Sequence, residues 1–187
     1  MTYKIGENMK KKNLIIIVFT LILLVLLVWF LSIMFSDKVY YRTYSKEYGW
    51  TKWVKQGNIS GVEGADILKI QVKIEKHSKK NGKVFYKTYY NDEFQENYVC
   101  CGESNSNGKY KIEGIKMMFS DDYYNKYDIY YRTYTKKHGW LKFAKNEQIS
   151  GSKGEAIQMI QINYVKKGKK NNIKENTNKS TSIGFDK

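Results

Sequence analysis

Three copies of one sequence pattern, spaced 45 residues apart, constrain this fold more than any other feature of the chain. The pattern Val-Tyr-Tyr-Arg-Thr-Tyr at 39–44 recurs as Val-Phe-Tyr-Lys-Thr-Tyr at 84–89 and as Ile-Tyr-Tyr-Arg-Thr-Tyr at 129–134. The first and third copies are identical at 17 of 36 aligned positions, where average composition would give about two. A fixed period of this length is typical of repeat architectures, so we expect three similar units that pack against one another.

The middle copy is a degenerate one. It matches the first copy at only eight positions and has Phe94-Gln95 where the other two copies have Gly49-Trp50 and Gly139-Trp140. We place the copies at 39–75, 84–119 and 129–165, within one domain that spans 36–165.

Each copy has the residue pattern of β-strands. Residues 39–45 are rich in aromatic and β-branched side chains, and Ile70, Val72 and Ile74 alternate with polar residues. Turn regions that contain Gly separate these runs. Three β repeats that close around a threefold axis leave no free sheet edges. We therefore predict an all-β, pseudo-threefold domain of the β-prism type, with a β-trefoil as the alternative.

The segment 14–35 predicts where the chain is located. Its 22 residues are apolar except Thr20 and Ser32, and as a helix they would rise about 33 Å, enough for a hydrocarbon core of about 30 Å. We predict a transmembrane helix in contact with the lipid bilayer. The alternative is a cleaved signal peptide, which has a shorter apolar region and small residues at its cleavage site. Because four Lys precede the segment, we expect a cytoplasmic basic stub at 1–13 and an extracellular domain after a single membrane pass.

The net charge of +15 is typical of nucleic-acid-binding proteins, but its distribution argues against that class. Residues 1–13 carry +3 and residues 166–187 carry +5, which leaves 22 basic and 15 acidic residues, or +7, on 36–165. We therefore expect no nucleic-acid partner. The Lys- and Asn-rich tail at 166–187 has no hydrophobic periodicity and is predicted to be disordered.

The order of motifs within the copies resembles a known family. Tyr-x-Thr-Tyr, then Gly-Trp, then Ser-Gly-x-x-Gly and an alternating Ile/Val strand are similar to the clostridial hydrophobic repeat with a conserved tryptophan, the ChW repeat. The family's Gly-Trp positions correspond to 49–50 and 139–140, and in the middle copy the resemblance depends on 111–115. It implies a cell-surface or extracellular protein whose repeats bind polysaccharide, such as cell-wall glycan, or other surface proteins, and it implies no catalytic activity.

One face of the first strand in each copy is a candidate ligand surface. Alternation places Tyr40, Arg42 and Tyr44 on one side of that strand and the residues between them on the other. A solvated sheet face with stacked Arg side chains is the alternative interpretation. The candidate ligand-binding residues are Tyr40, Arg42, Tyr44, Trp50, Trp53, Tyr130, Arg132, Tyr134 and Trp140.

The tryptophans allow two interpretations. Trp50 and Trp140 each follow Gly at the start of an apolar run, and a large aromatic side chain there is expected to close the core of its copy. The alternative is an exposed platform on which the apolar face of a pyranose ring stacks, a role that Trp53 could share. We expect the two Gly-Trp tryptophans to pack in the core.

Motifs for catalysis, cofactors and metals are weak. The sequence lacks Gly-x-Ser-x-Gly, and its acidic residues do not recur as a pair in each copy. We expect no catalytic residues, no cofactor and no metal site, since His77 and His138 have no close spacing to Cys100-Cys101. Free thiols and an intermolecular disulfide both stay open for that pair. The alternative functions are a cell-envelope polysaccharide hydrolase that uses acids of the middle copy, and a structural adaptor in an envelope complex.

Overall fold

A computed structural model of the protein describes residues 2–34, 36–104, 106, 108–174 and 180–185. The chain forms two compact units, Met1–Ser36 and Asp37–Lys187.

The first unit is a single helix, α1 (Thr2–Met34). Its segment Lys12–Ser32 has a mean hydropathy of 3.4 and no buried residues, and within the described chain it is the one helix long and apolar enough to cross a membrane. Thr20 Oγ1 and Ser32 Oγ donate to carbonyls three residues earlier, at 2.8 and 2.7 Å, so the two polar side chains of the apolar stretch are satisfied within the helix. The helix begins well before the predicted boundary at 14 and includes most of the predicted basic stub.

Within its described residues the second unit is all-β apart from one short helix, α2 (Asp121–Lys126), which confirms the predicted fold class at this level. The strands are β1 (Lys38–Ser45), β2 (Gly49–Trp50), β3 (Val54–Lys55), β4 (Ile59–Gly61), β5 (Ile67–Glu75), β6 (Val84–Tyr90), β7 (Glu93–Phe94), β8 (Val99–Cys100), β9 (Gly114–Phe119), β10 (Tyr127–Thr135), β11 (Gly139–Trp140), β12 (Ala144–Lys145), β13 (Ser150–Ser152), β14 (Ile157–Lys166) and β15 (Ser182–Ile183).

Three sheets are formed, each around the two long strands of one copy. In every copy these long strands pair antiparallel: β1 with β5, β6 with β9, and β10 with β14. The first sheet contains β1, β2, β3 and β5; the middle sheet contains β6, β7, β8, β9, β13 and β15; the third sheet contains β4, β10, β11, β12 and β14.

Short strands are exchanged between the copies. β4 of the first copy pairs with β14 in the third sheet, and β13 of the third copy pairs with β9 in the middle sheet. Both exchanges depend on a close backbone approach at Gly: a Cβ on Gly61 would lie 2.2 Å from Gln158 O, and one on Gly151 would lie 2.1 Å from Glu113 O. Only Gly fits at these two positions.

The core lies between the inner faces of the three sheets and is built of Ile, Val, Met, Phe and Tyr. Three fully buried tyrosines, one from each copy, connect neighbouring sheets: the hydroxyls of Tyr41, Tyr86 and Tyr131 accept hydrogen bonds from the backbone N–H groups of Ile162 (3.0 Å), Val72 (3.1 Å) and Met117 (3.0 Å). Each hydroxyl also donates to a carbonyl 17 residues later in its own copy, at Asn58, Glu103 and Gln148. The inward hydroxyls are therefore fully paired, as buried polar groups require.

The predicted disorder of 166–187 does not hold for the described part of this tail. β15 pairs in parallel with β13, and the Phe185 ring packs against Tyr89 with centroids 4.8 Å apart. Nearer the domain, Asn163 Nδ2 donates to the side chains of Asn171 and Asn172, at 2.8 and 2.9 Å. The low average hydrophobicity of the tail predicts disorder. The few contacts that attach the tail to the domain do not change that average.

Candidate functional site

The outer face of β1 carries the residues that the alternation predicts. Tyr40, Arg42 and Tyr44 are half-buried, whereas the residues between them are buried against the core. In the ladder Tyr44 stands directly opposite Trp50, and directly opposed residues point to the same side of an antiparallel sheet. Trp50 therefore shares the outer face with Arg42.

The Arg42 guanidinium lies between two indole rings. Its Cζ is 4.5 Å from the ring centroid of Trp50 and 4.7 Å from that of Trp53. Arg42 Nε also donates to Gln71 Oε1 at 2.7 Å, and Gln71 is its direct cross-strand partner. Each cation–π contact contributes about 0.5–2 kcal/mol, depending on desolvation. The arrangement fixes the orientation of the guanidinium.

Lysines extend this pattern on both sides of Arg42. Lys69 Nζ is 5.4 Å from the Tyr44 centroid, Lys73 Nζ is 4.5 Å from the Trp53 centroid, and the Tyr44 and Trp50 rings are 5.5 Å apart. We call this set the cation–aromatic row of the first sheet; it consists of Lys69, Tyr44, Trp50, Arg42, Trp53 and Lys73.

The third sheet repeats the centre of the row. Arg132 Cζ is 4.6 Å from the Trp140 centroid and 4.8 Å from that of Phe143, and Arg132 Nε donates to Gln161 Oε1 at 2.8 Å. The Tyr134 and Trp140 rings are 5.7 Å apart. Arg132 is the more enclosed of the two arginines, with 8% of its surface exposed.

Two tyrosines at the ends of this third row also contact charged groups. The Tyr134 hydroxyl donates to Glu63 Oε1 at 2.5 Å, and this hydrogen bond raises the pKa of Tyr134. Lys145 Nζ lies 5.8 Å from the ring centroid of Tyr130. Every candidate residue of the third copy therefore takes part in a contact on this face.

The middle sheet has a row that the gap-free alignment missed. Tyr89 stands opposite Phe94, as Tyr44 stands opposite Trp50, so Phe94 occupies the tryptophan position. The reason is a shorter hairpin: Asn91 and Asp92 adopt φ of 52° and 65°, typical of a two-residue type I′ turn. The Asn91-Asp92 pair was the sequence signal for a two-residue turn, which is one residue shorter than the turn of the first copy.

Lysines replace arginine in this middle row. Lys87 Nζ is 4.7 Å from the Tyr98 centroid, and Lys116 Nζ is 4.2 Å from the Phe94 centroid. Lys87 and Lys116 are direct cross-strand partners, whereas the other two copies pair Arg with Gln. The chemistry of the row, cations against ring faces, is thus present on all three sheets.

The expectation that Trp50 and Trp140 pack in the core is wrong. Both are half-buried and lie outside the core cluster, each against an Arg side chain. Their partners in the ladder, Tyr44 and Tyr134, point outward, and directly opposed residues point to the same side of the sheet. The ring surfaces that contact the guanidinium are covered, so they are not available as sugar-stacking platforms. The face contains the stacked Arg side chains of one interpretation, and a ligand surface on it stays a prediction.

A cavity of about 600 Å³ is lined by residues from all three copies. Its carboxylates are engaged by neighbours. Asp66 Oδ2 is 2.6 Å from Lys111 Nζ, Glu113 Oε2 accepts from the Gly154 N–H at 2.8 Å, and Glu155 Oε1 is 3.2 Å from His138 Nε2. These acids act as structural partners at the junction of the copies.

Cys100 and Cys101 are both free thiols, so the neighbouring pair forms no internal disulfide. Cys100 is half-buried and Cys101 is exposed. Burial raises the pKa of the Cys100 thiol to about 11, which favours its protonated form at neutral pH. Among the described residues, no three His, Cys, Asp or Glu side chains cluster closely enough to hold a metal ion.

No protein-family model matches this chain, and neither the curated proteins nor the solved structures contain a significant match. The resemblance to the ChW repeat stays a prediction, and function is inferred from the geometry of the chain itself.

Proposed function

We propose that this protein is a membrane-anchored, outward-facing surface protein that binds polysaccharide or other surface proteins through its tandem copies, as the resemblance to the ChW repeat implies. The observation that carries the proposal is the row of cations and aromatic rings on the outer face of every sheet. Three similar faces on one domain suit a polymeric ligand, because linked weak sites gain avidity without new contacts.

The chemistry of the rows favours ligands that carry negative charge. Residues 36–165 have 22 basic and 15 acidic residues. Arg42 is half-buried, whereas Arg132 is buried with 8% of its surface exposed. A guanidinium held between rings has lost side-chain freedom in advance, so less entropy is lost when it binds a carboxylate or phosphate. We therefore favour a wall polysaccharide with acidic groups, or an acidic patch on a surface protein, over a neutral glycan.

The orientation of the protein is part of the proposal. The apolar segment Lys12–Ser32 is long enough to span a bilayer, and Lys10, Lys11 and Lys12 precede or begin it. The positive-inside rule then places the N-terminus in the cytoplasm and the β domain outside the cell.

For the architecture we propose a pseudo-threefold, prism-like arrangement of the three sheets. Three separate sheets, each centred on one copy, support a prism over a trefoil, which needs a shared barrel. The exchange of short strands and the three tyrosines that each reach a different neighbouring sheet support the same arrangement.

The proposal assigns no catalytic role. The feature repeated in all three copies is cationic and aromatic, whereas the acids differ: Glu113 corresponds to Leu68 and Gln158 in the other copies. A glycosidase needs two carboxylates at a defined separation, and Glu113 accepts a backbone hydrogen bond instead.

The full chain in lipid nanodiscs, incubated with isolated cell-wall polysaccharide, tests this proposal against the hydrolase. We expect the polymer to be retained and its chain length to stay unchanged, with no new reducing ends. Release of reducing ends that Glu113→Gln abolishes, without loss of folding, would establish the hydrolase instead.

Protease added to intact cells should degrade the β domain, and a domain protected from it would contradict the orientation.

A further inference from the structure

The C-terminal tail fills the free edge of the middle sheet. β15 adds to β13 as a parallel strand: Gly151 N–H donates to Thr181 O at 3.2 Å, and Lys153 N–H donates to Ile183 O at 2.8 Å. This is the geometry of β-strand addition, in which main-chain hydrogen bonds hold an extended peptide and side-chain pockets select it.

One side-chain pocket accompanies this edge. The Phe185 ring meets Tyr89 edge-on, with centroids 4.8 Å apart and planes at 88°. It lies directly over Gly114, where an added Cβ would be 2.9 Å from Phe185 Cζ. Beside the ring a cavity of about 320 Å³ remains, lined in part by Phe94 and Ile149. The pocket therefore accepts an aromatic side chain and has room for a larger one.

The pocket exists because the middle copy lacks a side chain at one position. The residues equivalent to Gly114 are Lys69 in the first copy and Met159 in the third. In the first sheet Lys69 Nζ lies over the Tyr44 ring at 5.4 Å. In the middle sheet the equivalent ring, Tyr89, is met by Phe185 instead. The tail thus supplies a side chain that the copy itself does not have.

We propose that this edge of the middle sheet is a peptide-binding groove for an extended segment with an aromatic residue, and that residues 180–185 of a second copy of this chain bind it in trans. The groove is formed by β13, Gly114, Tyr89 and Phe94. The segment that fits is known, since the chain's own tail occupies the groove, and only two ladder pairs and one ring hold it there. The tail of a second copy presents the same groups to the same edge, and exchange of an identical element between copies is a low-cost route to dimers. The inference does not depend on the glycan proposal.

The groove is tested with the chain truncated after Lys179, in nanodiscs, and a labelled peptide Ser-Thr-Ser-Ile-Gly-Phe as the probe. Fluorescence anisotropy should show saturable binding to the truncated chain and binding weaker by about tenfold or more to the full chain, whose own tail competes. A peptide with Phe replaced by Ala, and a truncated chain with Gly114→Ala, should each lose about tenfold or more in affinity.

Equal binding of the peptide to the full and truncated chains, or no binding to a truncated chain that keeps its circular-dichroism spectrum, would overturn the groove. If truncation unfolds the domain, the full chain with Phe185→Ala replaces the truncated chain in the same titration. It should bind the peptide more tightly than the wild-type chain, and equal binding or no binding would overturn the groove.

Exchange in trans is tested with a complementary pair of chains. The full chain with Gly114→Ala has a blocked groove and a displaced tail, and the truncated chain has an empty groove. Mixed in detergent, they should form a complex that neither forms alone and that Phe185→Ala in the tail donor abolishes. A mixture that stays monomeric, while the peptide binds the truncated chain, would overturn the second copy as the partner.

Discussion

Tyr131 shows how a single hydroxyl connects two copies. It accepts the Met117 N–H at 3.0 Å and donates to the carbonyl of Gln148, with no surface exposed. Tyr131→Phe keeps the ring and leaves the N–H without a partner, which should lower the free energy of unfolding by about 1–3 kcal/mol. Denaturant unfolding followed by circular dichroism measures this change.

The neighbouring Tyr130 is the matched control, because it carries the same side chain on the outer face of β10. Tyr130→Phe should change the unfolding free energy by no more than about 0.5 kcal/mol. Equal losses for the two variants would show that the buried hydroxyl does not connect the sheets.

The same tyrosines predict how stability depends on pH. Burial raises the pKa of Tyr41, Tyr86 and Tyr131 above the ordinary value of 10. Unfolded tyrosines lose their protons near pH 10 while the folded ones keep them, so the stabilisation is complete below about pH 10 and is lost as pH rises further. Unfolding free energies should be level from about pH 8 to 9 and fall beyond pH 10. Ultraviolet titration of the folded protein checks the cause; ionisation of every tyrosine near pH 10 would contradict it.

At the scale of elements, the exchanged strand β13 depends on one glycine. Gly151 has φ of +155°, and a Cβ there would lie 2.1 Å from Glu113 O in the backbone of the segment before β9. Gly151→Ala should therefore separate β13 from β9 and lower the unfolding free energy by about 3 kcal/mol or more, as a backbone clash cannot relax cheaply.

Gly154 provides the control for this substitution. It also has a positive φ, +79°, but nothing lies within 4 Å of an added Cβ. Gly154→Ala should cost only the backbone strain of about 1 kcal/mol. Thermal unfolding of both variants separates the effect of the backbone clash at Gly151 from that of a positive φ alone. Equal shifts in Tm would show that the exchanged strand tolerates a side chain at Gly151.

The elements that sequence predicted are those with long, regular patterns. The apolar run gave α1, and strict alternation gave the buried and outer faces of β1. The Gly-Trp strands were misassigned because two-residue strands have no periodicity, and only the cross-strand partner shows that Trp50 points outward. Phe94 was missed because its hairpin is one residue shorter, which a constant offset of 45 cannot represent.

For the whole molecule, the repeat predicted an all-β domain of three related units but not how the units are connected. The exchanged strands β4 and β13 each have three residues, so they leave no signal in the sequence. The contact of Phe185 with Tyr89 is equally invisible, since it joins residues far apart in a chain whose tail composition predicts disorder. The outward position of Tyr40, Arg42 and Tyr44 could be predicted because alternation along a long strand determines which side chains share a face.

We propose that the cation–aromatic rows, rather than net charge, bind the ligand. The double variant Arg42→Gln with Arg132→Gln removes one cation from the first and third rows. The control, Lys52→Gln with Lys142→Gln, removes the same charge from exposed lysines at equivalent positions outside the rows.

The full chain in nanodiscs is applied to acidic cell-wall polysaccharide, and retention is compared among the wild type and these two variants. The arginine variant should bind about tenfold or more weakly, because two of the three linked faces are impaired, and the lysine variant should stay within about threefold of wild type because exposed charges contribute little. Equal weakening of both variants, or unchanged binding of the arginine variant with an unchanged circular-dichroism spectrum, would contradict the proposal.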